Sequence, residues 1–155
     1  MSFNFNDIAN TKVAEVEAVP LPPVGHYRWR VTKLPVTRDF VSKDGREFQS
    51  IDFPVQVVAP MEDVDPGEYK GDLTEIRQNL SFMFEKTDEI AFIRAQNNIK
   101  RFVLEHLQVG DENMSFKELF NSSVNQQFIA PIQWTPNKNN PEEMNANIGR
   151  TAPLE

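Results

Sequence analysis

The chain contains no cysteine, which excludes disulfide frameworks, thiolate zinc sites and thiol nucleophiles. Histidine is scarce. His26 and His106 are the only two, leaving little material for metal binding or acid–base catalysis. None of the six glycines sits in a phosphate-cradling loop, and neither a nucleophile elbow nor a His-Glu-x-x-His pair occurs. The expectation is a protein without catalytic activity, metal or cofactor. No apolar run approaches the roughly 18 residues of a membrane span, and the opening "MSFNFNDIAN" has no basic n-region. Neither membrane association nor a signal peptide is expected. The 155 residues, 39% hydrophobic and 25% charged, suit one globular domain of a soluble intracellular protein.

Charge is unevenly spread. The net charge is −7, yet residues 25–50 carry six cations (Arg28, Arg30, Lys33, Arg38, Lys43, Arg46) against three carboxylates. The stretch "MEDVDPGEYKGDLTE", Met61 to Glu75, holds six carboxylates and one lysine. Glu62, Asp63 and Asp65 lack the fixed ligand offsets of a calcium loop, and Pro66 interrupts them, so this reads as a solvated acidic loop.

Residues 1–24 read as an N-terminal arm, Pro-rich at Pro20, Pro22 and Pro23, with Asp7 to Ala18 as a short helix. Residues 25–152 read as the folded domain. Tyr27, Trp29 and Val31 alternate with Arg28, Arg30 and Thr32, as a half-buried strand requires. Asp44-Gly45 marks a tight hairpin turn. In "FQSIDFPVQVVAP", Ile51, Phe53, Val55 and Val57 point inward and Ser50, Asp52 and Gln56 outward, and Pro54 assigns this strand to an edge or a bulge. "IRQNLSFMF" is a third strand. From Thr87 or Asp88 the period becomes helical, with Ile90, Ile93, Ile99, Phe102, Val103 and His106 or Leu107 as its stripe and Gly110 as its stop. A helix-terminal histidine suits the macrodipole and needs no other role. Ser115 and Glu118 have capping-box spacing for a second helix. "NQQFIAPIQW" and "NANIGRTAPL" are the last two strands. The predicted fold is mainly β with a helical insertion (α+β): an OB-like five-stranded antiparallel barrel with a helix pair between its third and fourth strands.

The basic–aromatic segment carries the functional expectation. Cations that track phosphates and rings that stack on bases are how single strands are held. Arg28, Arg30, Arg38, Lys43, Arg46 and Arg77 are the candidate phosphate contacts. Phe40, Phe48 and Trp29 are the candidate stacking residues, with the core as the competing place for Trp29. Phe40 and Phe48 lie off the inward alternation of their strands, so they either stack or form a second small core. Two rival classes are a phage structural or adaptor protein docking through its arm, and a carbohydrate-binding barrel that needs no arginines.

Several segments together, "LPPVGHYRWRVTK", "SKDGREFQSIDFPVQVV", the helix pair, "FIAPIQW" and "NANIGR", resemble bacteriophage single-stranded DNA-binding proteins of the acidic OB-fold type, over roughly residues 20–152. The resemblance implies non-sequence-specific protection of single-stranded DNA during phage replication, recombination or repair, in the cytoplasm of an infected bacterial host. It also implies homo-oligomers and replication or recombination proteins as partners. Such proteins often end in a pronounced acidic tail. The "GRTAPLE" end of this chain, with one carboxylate side chain, departs from that pattern.

Overall fold

A computed structural model describes residues 2–16 and 19–154. The strands are β1 (Gly25–Val31), β2 (Val36–Val41), β3 (Glu47–Pro60), β4 (Arg77–Glu85), β5 (Gln127–Pro136) and β6 (Met144–Ile148). The helices are α1 (Phe5–Asn10), α2 (Glu89–Arg101) and α3 (Phe116–Ser123). All strand pairs are antiparallel, in the order β2-β3-β1-β5-β6, with β4 also on β3. The architecture is therefore mainly antiparallel β with a few helices, and α2 and α3 fall between β4 and β5. The sheet is open. Between β4 and β6 there is no ladder, only the Gln78 side chain donating to the Ala146 carbonyl at 3.3 Å.

The first leg of the sheet is two strands, where one was expected. β4 pairs with β3 from Phe48 to Gln56, overlapping the stretches that pair with β2 (to Asp52) and with β1 (from Val55). β1 and β2 must then share the opposite edge of β3, in tandem, with Thr32 to Pro35 between them. Pro54 is correspondingly not on an edge strand. Its carbonyl accepts from Thr32 N–H at 2.9 Å, so the donor it lacks would have faced the break between β1 and β2, where no ladder needs it.

The inward face of the sheet meets the helices in one core. Tyr27, Trp29, Val31, Phe53, Val55, Phe128 and Ile132 are buried against Ile99, Phe102, Val103 and Leu119. Phe53 sits edge-on to Phe82, Phe102 and Phe120 with centroids 5.3 to 5.7 Å apart, the geometry aromatic quadrupoles favour. Trp29 donates Nε1–H to the Ala130 carbonyl at 2.9 Å and Tyr27 its hydroxyl to Pro23 at 2.6 Å, so neither buried ring leaves a donor unpaired. Burial, then the charge of Asp63, pushes the Tyr27 hydroxyl up to about 12, and it remains a neutral donor.

Some expected inward and outward assignments are reversed. Ser50 and Asp52 are buried, although they point away from the core. Ser50 is a short side chain between the longer Arg38 and Met83, and the Asp52 carboxylate is enclosed by the Ser50 and Ser81 hydroxyls and the Arg38 guanidinium that bond it. Ile90 and Ile93 are exposed, and the stripe that packs is Ala95, Ile99, Phe102, Val103 and Leu107. Asp88 caps α2. The helix then continues as one π turn, Phe102–His106, and leaves through Gln108 at φ 59, two residues before Gly110. Capping boxes hold α3 (Ser115, Glu118) and α1 (Asn4, Asp7). The arm's helix is shorter than the Asp7 to Ala18 expected, ending at Asn10 before a 3-10 turn at Val13–Glu15, and Ala18 lies outside the described residues.

The hairpin turn joins β2 to β3 at Asp44-Gly45, with Gly45 at φ 87 and a Ser42 N–H to Arg46 carbonyl bond of 2.9 Å. A Cβ at Gly45 would meet nothing within 4 Å, so only backbone strain opposes substitution. Gly45→Val should lower unfolding free energy by about 1–2 kcal/mol, and Gly45→Asn, which tolerates positive φ, by less. Urea midpoints check this; equal losses would mean that φ is not the constraint.

Candidate nucleic-acid interface

An antiparallel ladder points directly opposed residues to the same face. Phe48, Ser50, Asp52, Pro54 and Gln56 of β3 share the outer face of the sheet. Their partners place Arg38 and Phe40 of β2, Arg30 of β1 and Arg77, Asn79 and Ser81 of β4 beside them. From Phe48 to Gln56 this face runs about 27 Å at strand rise.

At the Gln56 end, one row crosses four strands: Gln127–Arg30–Gln56–Arg77. Arg30 and Arg77 lie two strand spacings apart, about 10 Å. Next to this row, the break between β1 and β2 opens a groove of about 730 Å³ floored by Pro54, Val55 and Gln56. Arg30, Lys33 and Arg77 line it, with Thr32, Gln78 and Asn79, and no carboxylate does. Arg30 donates to the Asn125 side chain at 2.8 Å, which orients the guanidinium without neutralising it. Among the described residues none of these three cations has an ion pair. Arg28 is exposed on the same side of β1, opposite Ile129.

The hairpin end is organised differently. Phe40 and Phe48 stack on each other, centroids 5.3 Å apart and planes 9° apart. The Arg38 guanidinium lies 5.1 Å from the Phe40 centroid and that of Arg46 5.4 Å from Phe48. Both arginines are also paired with carboxylates: Arg38 with Asp52 at 3.3 Å, Arg46 with Asp44 at 2.9 Å and Glu85 at 3.8 Å. A phosphate must compete with these carboxylates, and a base must displace a guanidinium or meet a ring edge. Lys43, exposed in the turn, has no ion pair among the described residues.

Six of the nine expected site residues thus fall into two groups, with Arg28 and Lys43 exposed outside both. Arg30 and Arg77 converge on the groove. Arg38, Phe40, Arg46 and Phe48 form a self-satisfied stack at the hairpin. Trp29 is corrected outright: fully buried, with its indole N–H spent on Ala130, it offers no ring to a base. Gln56 and Asn79 join the site only through the strand register, and Lys33, three residues after Arg30, through the break between β1 and β2. Trp134 is 44% exposed, and its Nε1–H holds the arm through the Pro22 carbonyl at 2.7 Å.

The acidic side of the molecule is tied down separately. Asp63 accepts from the His26 ring at 2.8 Å and from its backbone N–H, bonds that hold its carboxyl below the usual range. Asp65 caps a 3-10 turn at Pro66–Glu68. His106 bonds Thr151 at 2.7 Å, and burial favours its neutral form, so the macrodipole is not its main partner. Among the described residues no three His, Asp or Glu side chains gather as metal ligands do, and no helix is long and apolar enough to cross a membrane. No protein-family model matches the chain, and no curated protein is similar enough to count as a relative.

Asp52 anchors the stack. Desolvation raises its pKa, but bonds from Ser50 (2.5 Å), Ser81 (2.6 Å) and Arg38 outweigh that and leave it lowered from 3.8. Its stabilisation is therefore complete above the ordinary value and is lost as pH falls through the lower, folded-state value. Asp52→Asn should cost roughly 2 kcal/mol at pH 7, the scale of hydrogen bonds to a charged group. The gap to wild type should narrow below about pH 4 in urea melts. A gap constant from pH 7 to pH 2 would show that the charge is not what the site uses.

Proposed function

We propose that the protein binds single-stranded DNA without catalysis, along the outer face of β3 and its neighbours. The observation that carries this is the groove at the break between β1 and β2, where three cations with no ion pair among the described residues converge without a carboxylate in a chain of net charge −7. Such a groove attracts phosphates locally while the acidic body repels bulk polyanion. The strand order also suits an OB-like barrel: β1 with β2, β3, β4, β5 and β6 would be its five legs, the helices its insertion, and the gap between β4 and β6 its missing ladder. In such barrels the face around the second and third legs, here β3 and β4, takes oligonucleotides. The biological reading that follows is protection of single strands in phage replication, recombination or repair, with self-association and contacts to proteins of those processes.

A second reading, an adaptor that docks through its arm, draws on Phe3, Phe5, Ile8 and Val13, which are all more than 70% exposed. Removing residues 1–19 separates the two, because it deletes those side chains and leaves the groove intact.

Fluorescence anisotropy of labelled oligo-dT over a salt series tests the binding reading. Contacts from Arg30, Lys33 and Arg77 give a log–log slope of about −2, at about 0.7 per phosphate. Arg30→Ala with Arg77→Ala should shrink it by about 1.4. Arg46→Ala, whose charge is already matched by Asp44 and Glu85, should shrink it less. A slope near zero, or equal affinity for duplex of the same length, would refute the reading.

A further inference from the structure

β4 pairs on one edge only, so its other edge carries backbone groups that no strand of the described residues satisfies. That edge opens onto a second groove, of about 530 Å³, lined by Ser81 and Phe82 of β4, Asn98 and Arg101 of α2, and His106 and Arg150 beyond them. No carboxylate lines it. A smaller recess of about 190 Å³ continues along Ser81–Met83 beneath Arg94, sharing Ser81, Phe82 and Asn98 with the larger groove. Arg94, Asn98 and Arg101 stand at i, i+4 and i+7, one face of α2. Arg150 arrives from the segment after β6, which the Ile129–Ala152 bridge pins to the sheet. Burial disfavours protonation of His106, Glu105 favours it, and Arg101 and Arg150 oppose it, so both guanidiniums lie near the same point, with the Glu105 carboxylate beside them. Arg101 has one ion pair, an exposed i,i+4 contact with Glu105 at 3.8 Å, of the kind a phosphate displaces easily. Arg94 and Arg150 have none among the described residues.

The two grooves are consecutive along β4: Arg77 to Asn79 line the first and Leu80 to Phe82 the second. We infer that a bound single strand continues past Arg77, crosses the free edge of β4 and enters the second groove, where Arg101 and Arg150 take phosphates and Arg94 extends the track. This inference rests on the first groove being a single-strand site. The second groove makes binding length-dependent: a short strand fills only the first, and a longer one occupies both.

The test pairs oligo-dT of about 5 and about 16 nucleotides, spanning the range of sites on one such domain, with wild type and the Arg101→Ala, Arg150→Ala double variant. Both side chains are exposed, so the fold tolerates their loss, and circular dichroism checks it. The wild type should show a steeper salt slope on the long oligomer than on the short one. The double variant should lose about 1.4 of slope on the long oligomer and nothing on the short one. Arg101→Lys with Arg150→Lys, which keeps the charges, should retain most of the long-oligomer slope. Unchanged long-oligomer binding in the alanine variant overturns the second groove alone, and so does an equal loss on both lengths. Wild type that binds neither oligomer overturns the first groove, and this inference with it.

Discussion

Pro54 has no backbone N–H to give, and it stands within the longest strand of the sheet. On one edge of β3 this is harmless, because β4 pairs there from Phe48 to Gln56. On the other edge a continuous partner strand would meet a missing donor, and none runs past it: β1 ends at Val31 and β2 begins at Val36. Leu34-Pro35 reinforces the interruption, since a residue before proline is restricted and the proline itself cannot donate. The break makes the groove. It also brings Lys33 out of the ladder and leaves Arg30 at the end of β1, level with Arg77 two strands away.

Where the cations lie matters less than what each already faces. Arg38, Arg46 and Lys86 are matched by Asp52, Asp44, Glu85 and Asp39, so the hairpin's arginines are neutralised locally and, among the described residues, Lys43 is left as its exposed cation without an ion pair. Around the groove the polar neighbours are glutamine, asparagine and threonine, which hydrogen-bond but do not neutralise, and the rest are valine and proline. The molecule's potential is set by this sorting and not by its net charge. The stacked Phe40–Phe48 pair, held between two guanidiniums and fixed through buried Asp52, is better suited to stiffening the hairpin than to receiving a base.

Much of the local structure was legible in the sequence. The alternation of Tyr27, Trp29 and Val31, the Asp-Gly turn and the Ser115–Glu118 box are short-range signals that tertiary packing had no reason to override. What could not be read depends on register. That Arg38 meets Asp52, fourteen residues away, or that Arg30 and Arg77 flank Gln56, follows only once three strands are aligned. Ser50 and Asp52 look solvated by alternation; Ser50 is buried between Arg38 and Met83, and Asp52 beneath the Ser50, Ser81 and Arg38 groups that bond it. The missing donor of Pro54 suggested an edge or a bulge; β3 is instead paired on both sides, and Pro54 sits opposite the break between β1 and β2. Trp134 continues the inward alternation of Phe128, Ala130 and Ile132, yet it lies half-exposed and serves the arm instead of the core. The gap between β4 and β6 has no counterpart in composition or periodicity at all.

The central claim is that the unpaired cations at the break in the first leg, and not the paired ones of the hairpin, meet nucleic acid. Arginine Nε–Hε resonances followed by two-dimensional NMR during titration with oligo-dT report on each guanidinium separately. The account predicts that Arg30 and Arg77 shift progressively to saturation while Arg38 and Arg46, held by Asp52, Asp44 and Glu85, move little. Saturating shifts at Arg38 and Arg46 with Arg30 and Arg77 unmoved would contradict it.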